Sequence, residues 1–251
     1  MFVQNFLSGS VTENSFHINS KEKPGNDSYL WTSFFNEKSN PYLIMLLNEW
    51  NVKTLFLSVN STMDLEKLKS FQKLASDNGI KVDFLIGENS YVEETDGFIH
   101  LEKVMMTGKN LGFKGIHLDI EPHTFDDYED NIEIYAKRQI KLFENCKKWC
   151  DENGMDLSVS VPMYLPLKVA RTLGQKNITT HIMAYGNSSL ENKIAQTKKM
   201  RKILKTNYRW AFEIDDFSDY KSLKETETKL IESQITDFTY HDLTQMDGFK
   251  K

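Results

Sequence analysis

The sequence has only 2 cysteines among its 251 residues, Cys146 and Cys150. They lie four positions apart within a helical pattern, which makes them neighbours on one helix face and not an obvious structural disulfide. We therefore predict two partly buried free thiols.

Long apolar runs are also lacking. No stretch reaches about 18 consecutive apolar residues, the length that a membrane-spanning helix needs. Met1 is followed by no basic segment, apolar run or small-residue cleavage site, as a signal peptide would require. These absences predict a soluble protein without membrane contact that is cytoplasmic as given. A secreted or cell-surface protein whose leader is not part of the sequence would show the same pattern.

Motifs for nucleotides, nucleic acids and metals are missing as well. There is no Gly-x-Gly-x-x-Gly or Gly-x4-Gly-Lys-Ser/Thr sequence, so an open nucleotide-binding sheet would lack its phosphate loop. Neither His-x-His nor His-Glu-x-x-His occurs. The net charge of −5 disfavours nucleic acid as a partner. We predict no cofactor and no metal site.

What the sequence does contain is a regular alternation of strand and helix patterns. The predicted strands cover 29–35, 52–60, 81–87, 116–120, 155–162, 178–185, 209–215 and 236–242. Helical patterns follow seven of them, and eight such repeats favour a closed α/β barrel, the (β/α)8 TIM barrel, over an open doubly wound sheet. The pattern shows no regular eighth helix. With no linker or low-complexity segment, we predict an irregular lead-in over 1–28 and a single TIM-barrel domain over 29–251.

The ends of the predicted strands supply the candidate site, because the carboxyl ends of barrel strands line one mouth. They carry no lysine or cysteine, which disfavours Schiff-base and thiol chemistry. As residues that shape a substrate cleft we predict Asn60, Glu88, His117, His123, Met183, Glu213, Asp215 and His241.

The fourth strand carries the candidate catalytic groups. From Ile116 to Ile120 apolar and polar residues alternate, so His117, Asp119 and Glu121 share one face. Asp119 and Glu121 are two strand rises apart, about 6.6 Å along the chain. Partial burial of Glu121 would raise its pKa and make it a usable proton donor. Paired carboxylates of this kind are typical of glycosidic bond cleavage; alternatively, Asp119 has a structural role and pairs with His117 or Lys114.

The segment Gly-Ile-His-Leu-Asp-x-Glu-Pro-His over 115–123, with Tyr-Leu-Trp at 29–31 and Met-Ala-Tyr at 183–185, resembles a group of largely uncharacterised bacterial TIM-barrel proteins related to glycoside hydrolases. More distantly the chain is similar to the family 18 chitinase group, whose fourth strand reads Asp-Gly-x-Asp-x-Asp-x-Glu and whose sixth carries Met-x-Tyr-Asp. The resemblance places Glu121 on the catalytic acid. It also places Asp119 on the aspartate that supports the substrate acetamido group, and Tyr185 on the tyrosine that binds that group.

Four positions depart from the family 18 pattern. Lys114 and His117 stand where the pattern has aspartates, Ile120 stands where an aromatic residue often precedes the acid, and Gly186 replaces the aspartate after the tyrosine. The Asp119–Glu121 pair is retained, so the resemblance implies acid catalysis without implying chitin as the substrate.

The predicted function is therefore hydrolysis of a glycosidic bond, with a carbohydrate or another small molecule as the substrate. Three alternatives stay open. Glu213 or Asp215 on the seventh strand could be a nucleophile opposite Glu121. The barrel could bind carbohydrate without catalysis, because a fold does not fix an activity. The chain could also be a metal-dependent hydrolase using His117, Asp119, Glu121, His123 and His241, although alternation spreads the fourth-strand ligands over about 20 Å.

Overall fold

A computed structural model describes residues 25–93 and 97–249. The strands are β1 Asn26–Leu30, β2 Val52–Ser58, β3 Lys81–Ile86, β4 Gly115–Leu118, β5 Asp156–Pro162, β6 Thr179–Met183, β7 Tyr208–Glu213 and β8 Phe238–His241. Each strand pairs in parallel with the next, and β8 pairs with β1, so the sheet closes into a barrel. The predicted (β/α)8 TIM barrel is confirmed.

Helices surround the barrel in the order that the sequence pattern predicts. They are α1 Thr32–Glu37, α2 Asn40–Glu49, α3 Leu65–Asp77, α4 Gly97–Asn110, α5 Tyr128–Asn153, α6 Leu167–Gln175, α7 Leu190–Leu204, α8 Tyr220–Glu232 and α9 Leu243–Gly248. Where the sequence pattern shows no regular eighth helix, the short helix α9 follows β8. It has only 6 residues, too few for a helical period to show in the sequence. Its start is fixed by Asp242, whose Oδ1 accepts hydrogen bonds from the backbone of Thr244 at 2.7 Å and Gln245 at 3.1 Å.

The first strand lies earlier in the chain than predicted. It begins at Asn26 and ends at Leu30, and the residues from Thr32 onward form α1. Phe34 and Phe35 were included in the predicted strand because they continue an aromatic run. In the structure both are buried on the inner side of the short helix α1. Three residues of the predicted lead-in over 1–28 thus belong to the barrel sheet. Residues 1–24 lie outside the described part of the chain, and for them the irregular lead-in stays a prediction.

The alternation in β4 produces two different environments. Ile116 and Leu118 are fully buried in the apolar layer between the sheet and the helices. His117 is also fully buried, but inside the barrel, where its ring stacks on Phe56 with centroids 3.8 Å apart. The two cysteines are free and fully buried in the outer layer, more deeply than predicted. No helix among residues 25–93 and 97–249 is long and apolar enough to cross a membrane.

His117 is held by two serines of the neighbouring strand β5. Its Nδ1 is 2.7 Å from Ser158 Oγ and its Nε2 is 2.8 Å from Ser160 Oγ. The predicted pairing with Asp119 was wrong, because the two serines on the adjacent parallel strand occupy both nitrogens of the ring. Burial lowers the pKa of His117 to about 3, since a charge inside the barrel would lose its hydration. Ser160 is also 2.6 Å from the hydroxyl of Tyr29, so a neutral hydrogen-bonded layer crosses the barrel interior.

The burial of His117 generates a prediction about stability at acid pH. The unfolded residue takes up a proton below its ordinary pKa of 6.5, whereas the folded residue does so only near 3. The stability due to neutral His117 is thus complete above pH 6.5 and is lost as the pH falls toward 3. We expect the wild type to lose stability relative to His117→Asn by about 1.4 kcal/mol per pH unit between about pH 6 and 4.

Urea unfolding across this pH range measures the difference. The control is Ser76→Asn, which introduces the same amide at an exposed, non-titrating position on α3 and should leave the pH dependence almost unchanged. Parallel curves for the wild type and His117→Asn would contradict a neutral buried imidazole.

Candidate active site

The carboxyl ends of β4, β5, β6 and β8 surround a cleft of about 370 Å³. Its lining combines acidic, aromatic and sulfur-containing side chains: Asp119, Glu121, His123, Pro162, Met163, Tyr164, Met183, Tyr185 and His241. Six predicted site residues are among them, namely Asp119, Glu121, His123, Met183, Tyr185 and His241. The cleft thus brings together predicted residues from the ends of three different strands.

Asp119 follows β4 directly and lies deep in the cleft. Its backbone N–H donates to the carbonyl of Ile86 at 2.9 Å, which continues the β3–β4 pairing by one residue. Its Oδ1 is buried and has no hydrogen-bond partner among the described residues. Burial, followed by the charge of Glu121, raises the pKa of Asp119 to about 7, and His241 and His123 oppose this increase. Near neutral pH this carboxyl therefore exists both with and without its proton, and one oxygen is available to a ligand.

Glu121 is held at the rim of the cleft by its backbone. Its N–H donates to Asn89 Oδ1 at 2.7 Å, and its carbonyl accepts from Thr124 Oγ at 2.8 Å. The side chain is 29% exposed, and its Oε2 lies 3.2 Å from Nε2 of His123. The backbone of Glu121 is thus held on two sides, while its carboxyl group contacts His123 and remains accessible from the cleft.

Tyr185 lies opposite, just beyond the end of β6. Its hydroxyl is buried and has no hydrogen-bond partner among the described residues. Burial raises the pKa of Tyr185 well above its ordinary value, so the phenol stays neutral and can donate a hydrogen bond. The chain turns away immediately afterwards at Gly186, whose φ of 86° lies in the left-handed region that favours glycine. The Gly186 N–H donates to Asp216 at 2.8 Å, which fixes this turn.

His241 forms part of the cleft wall and is surrounded by aromatic rings. Its ring centroid is 5.2 Å from that of Tyr29, 5.8 Å from that of Trp31 and 5.7 Å from that of Tyr185. Its Nδ1 lies 3.1 Å from Oε2 of Glu213. Burial acts to lower the pKa of His241, but the hydrogen bond and charge of Glu213 outweigh it, and the pKa is raised.

Glu213 supports His241 and does not line the cleft. It also accepts a hydrogen bond from Gln245 Nε2 at 2.5 Å. Burial acts to raise the pKa of Glu213, but its hydrogen bonds with His241 and Gln245 lower it overall. A carboxylate held in this way is poorly placed to attack a substrate.

Four other predicted site residues do not line the cleft. Asn60 and Glu88 are exposed and close local turns, accepting hydrogen bonds from Thr62 N at 2.9 Å and from Ser90 N at 3.1 Å. Asp215 is exposed in a 3-10 helix over Ile214–Asp216. His117 is fully buried below the cleft. Their predicted roles in substrate binding stay predictions.

Several residues that build the site are not among the predicted substrate-binding residues. Met163 and Tyr164, which the strand-end rule identifies directly after β5, line the cleft. Trp31 was placed inside the predicted first strand, although it follows β1, and its Nε1 donates to Asp242. Gln245 lies on α9, and nothing in the sequence pattern indicates its contact with Glu213.

The residues that the structure describes contain no group of three or more His, Cys, Asp or Glu side chains placed to hold a metal ion. Of the suggested ligands, His117 has both ring nitrogens occupied by serines. The metal-dependent alternative therefore has no ligand set in this part of the chain.

Comparison with protein-family models and with curated proteins found no match for the sequence. Comparison with solved structures found many. A GH18 chitinase from Cycas revoluta in complex with (GlcNAc)3 matches with a TM-score of 0.61 and 10% identity, over 90% of this chain and 97% of that one. The chain shares its fold with GH18 chitinases.

Two further structures show how varied proteins of this fold are. A chitinase-like agglutinin from Robinia pseudoacacia matches with a TM-score of 0.64 and 10% identity, over 87% of this chain and 95% of that one. Active domain 2 of a chitinase from Pyrococcus furiosus matches at 0.60 and 14%, over 86% and 83%. The resemblance to the family 18 group is thus supported at the level of the fold, and the bacterial group stays a prediction.

The raised pKa of Asp119 predicts that replacing its carboxyl group by a neutral amide increases the free energy of unfolding at neutral and alkaline pH. The folded state resists ionising this carboxyl until about pH 7, whereas the unfolded chain ionises it near its ordinary value of 3.8. The cost to folding is thus absent below about pH 4 and complete above about pH 7. We expect Asp119→Asn to be more stable than the wild type by about 1 to 3 kcal/mol at about pH 8, with the gain vanishing near about pH 4.

Denaturant unfolding at several pH values tests this. Asp126→Asn, which changes an exposed carboxyl, is the control and should show no such pH-dependent gain. A loss of stability in Asp119→Asn at about pH 8 would show that the buried charge is well compensated.

Proposed function

We propose that the chain is a glycoside hydrolase whose active site is the cleft at the carboxyl end of the barrel. The observation that carries the proposal is the placement of Asp119 and Glu121 together in a cleft walled by Tyr164, Tyr185 and His241. Aromatic faces pack against sugar rings, and paired carboxyls provide the acid and the charged support that glycosidic cleavage needs.

In the proposed reaction Glu121 is the general acid. Its proton passes to the glycosidic oxygen, the bond from that oxygen to the anomeric carbon breaks, and the leaving sugar departs as an alcohol. Water then adds to the anomeric carbon, and the proton that it releases restores the acid. Tyr185, with its hydroxyl unpaired among the described residues, donates a hydrogen bond to the bound sugar.

Asp119 would act on the substrate beside the scissile bond. Its unpaired Oδ1 accepts a hydrogen bond from a substituent of the sugar. The resemblance to the family 18 group implies an acetamido substituent. Glu213, which is held by His241 and Gln245 away from the cleft, is a weaker candidate for a nucleophile.

A carbohydrate-binding barrel without catalysis is the second candidate. It is favoured by one observation, the equally good structural match to a chitinase-like agglutinin. The same cleft could hold a sugar without cleaving it.

Variants at Glu121 distinguish the two candidates. The substrates are a panel of aryl glycosides and cell-wall oligosaccharides, and the variants are Glu121→Gln and Asp119→Asn. We expect Glu121→Gln to lower kcat by about 10²- to 10⁴-fold, because the proton donor is lost, with oligosaccharide affinity changed only a few-fold. Glu66→Gln, at an exposed position on α3, should behave like the wild type.

Two results would overturn parts of the proposal. A wild type that binds oligosaccharides by calorimetry but cleaves no member of the panel would favour the binding barrel. A hydrolase whose activity survives both Glu121→Gln and Asp119→Asn would place the chemistry elsewhere.

A further inference from the structure

The rim of the cleft contains a second titratable group in direct contact with the proposed acid. His123 lies two residues beyond Glu121, in a 3-10 helix over Pro122–Thr124. Its Nε2 is 3.2 Å from Glu121 Oε2, and both side chains line the cleft. The ring of His123 thus lies beside Oε2 of the proposed acid.

The imidazole ring of His123 has little freedom to move away from this contact. It packs edge-on against Tyr164, with centroids 5.4 Å apart, and more loosely against Tyr128 at 6.4 Å. Its side chain is only 16% exposed. The position of Nε2 is therefore fixed by ring packing as well as by the carboxylate.

The surroundings of the other ring nitrogen determine the tautomer. Nδ1 of His123 is buried and has no hydrogen-bond partner among the described residues. A proton on Nδ1 would be a buried donor without an acceptor, which costs more than the unpaired lone pair of a bare nitrogen. The proton of the neutral ring thus lies on Nε2, the nitrogen that faces Glu121 Oε2 at 3.2 Å.

We propose that His123 is a positioning residue for Glu121, an inference that rests on the proposed hydrolase function. In the proposed pairing Nε2–H donates to Oε2, so the acidic proton of Glu121 is carried on Oε1, the oxygen left for the substrate. When that proton moves to the glycosidic oxygen, negative charge develops on the carboxyl group. The bond from His123 then becomes charge-assisted and stronger, which stabilises the transition state more than the ground state.

The test compares His123→Leu with His123→Gln across aryl glycosides of different leaving-group acidity. Leucine removes the donor and keeps an apolar volume, whereas glutamine can place an amide N–H near the same oxygen. We expect His123→Leu to lower kcat by about 10- to 100-fold on substrates with poor leaving groups, with KM within about twofold. The loss should shrink for dinitrophenyl glycosides, whose leaving group needs little protonation. His123→Gln should recover most of the activity, and the matched control His100→Gln on α4 should equal the wild type.

A purely structural role for His123 gives a different result. Equal losses on all leaving groups, or a His123→Gln variant as slow as His123→Leu, would overturn the proposal. Combining His123→Leu with Glu121→Gln should add little to the effect of Glu121→Gln alone, because the histidine acts through the acid.

The pairing can also be tested without activity. Nitrogen-15 NMR of labelled protein at about pH 8 should show a protonated Nε2 and a bare Nδ1 on His123, with the signal altered in Glu121→Gln. If the wild type cleaves no glycoside but shows this tautomer, the proposed function fails and the pairing stands. A protonated Nδ1 would overturn the pairing whatever the activity.

Discussion

Closure of the barrel between β1 and β8 is the constraint on which the site depends. Asp27 and Ser28 pair in register with Thr239 and Tyr240, and Ser28 Oγ also donates to the Tyr240 carbonyl at 3.0 Å. Closure gathers strand ends that are far apart in the sequence at one mouth. Without this junction, His241 would not lie beside Tyr29, and a cleft with walls from β4, β5, β6 and β8 would open into a flat edge.

Periodicity carried most of the information that the sequence offered about the fold. Alternation in strands such as Ile116–Ile120 reports two-sided burial, and the helices that follow show a wider period, so order and class could be predicted. The predicted bounds of β1 were wrong because an aromatic run indicates burial, and Phe34 and Phe35 are buried in a helix and not in a strand. The helix α9 was not predicted because it is shorter than two helical turns, so its sequence shows no helical period.

The residues of the candidate site could be predicted only where their position at the end of a strand places them in the cleft. Asp119, Glu121, Tyr185 and His241 come directly at strand ends, and the topology alone brings them together. Hydrogen-bond partners across the barrel could not be predicted, because they depend on strand register and on side-chain length. Examples are the two serines that contact His117 and the Gln245 side chain that contacts Glu213. The sequence also did not show that Asn60, Glu88 and Asp215 are exposed outside the cleft. The last residue of a strand pattern can lie either in the mouth of the barrel or in the turn beyond it.

The layer formed by Tyr29, Ser160, His117 and Ser158 also limits where protons can travel. His117 accepts a proton only near pH 3, and the phenol of Tyr29 releases one only well above its ordinary pKa, so neither group exchanges protons at neutral pH. The floor of the cleft therefore does not store protons at neutral pH. A proton carried by Asp119 or Glu121 does not come to rest on His117 or Tyr29, and the open mouth gives it a direct route to solvent or to a bound molecule.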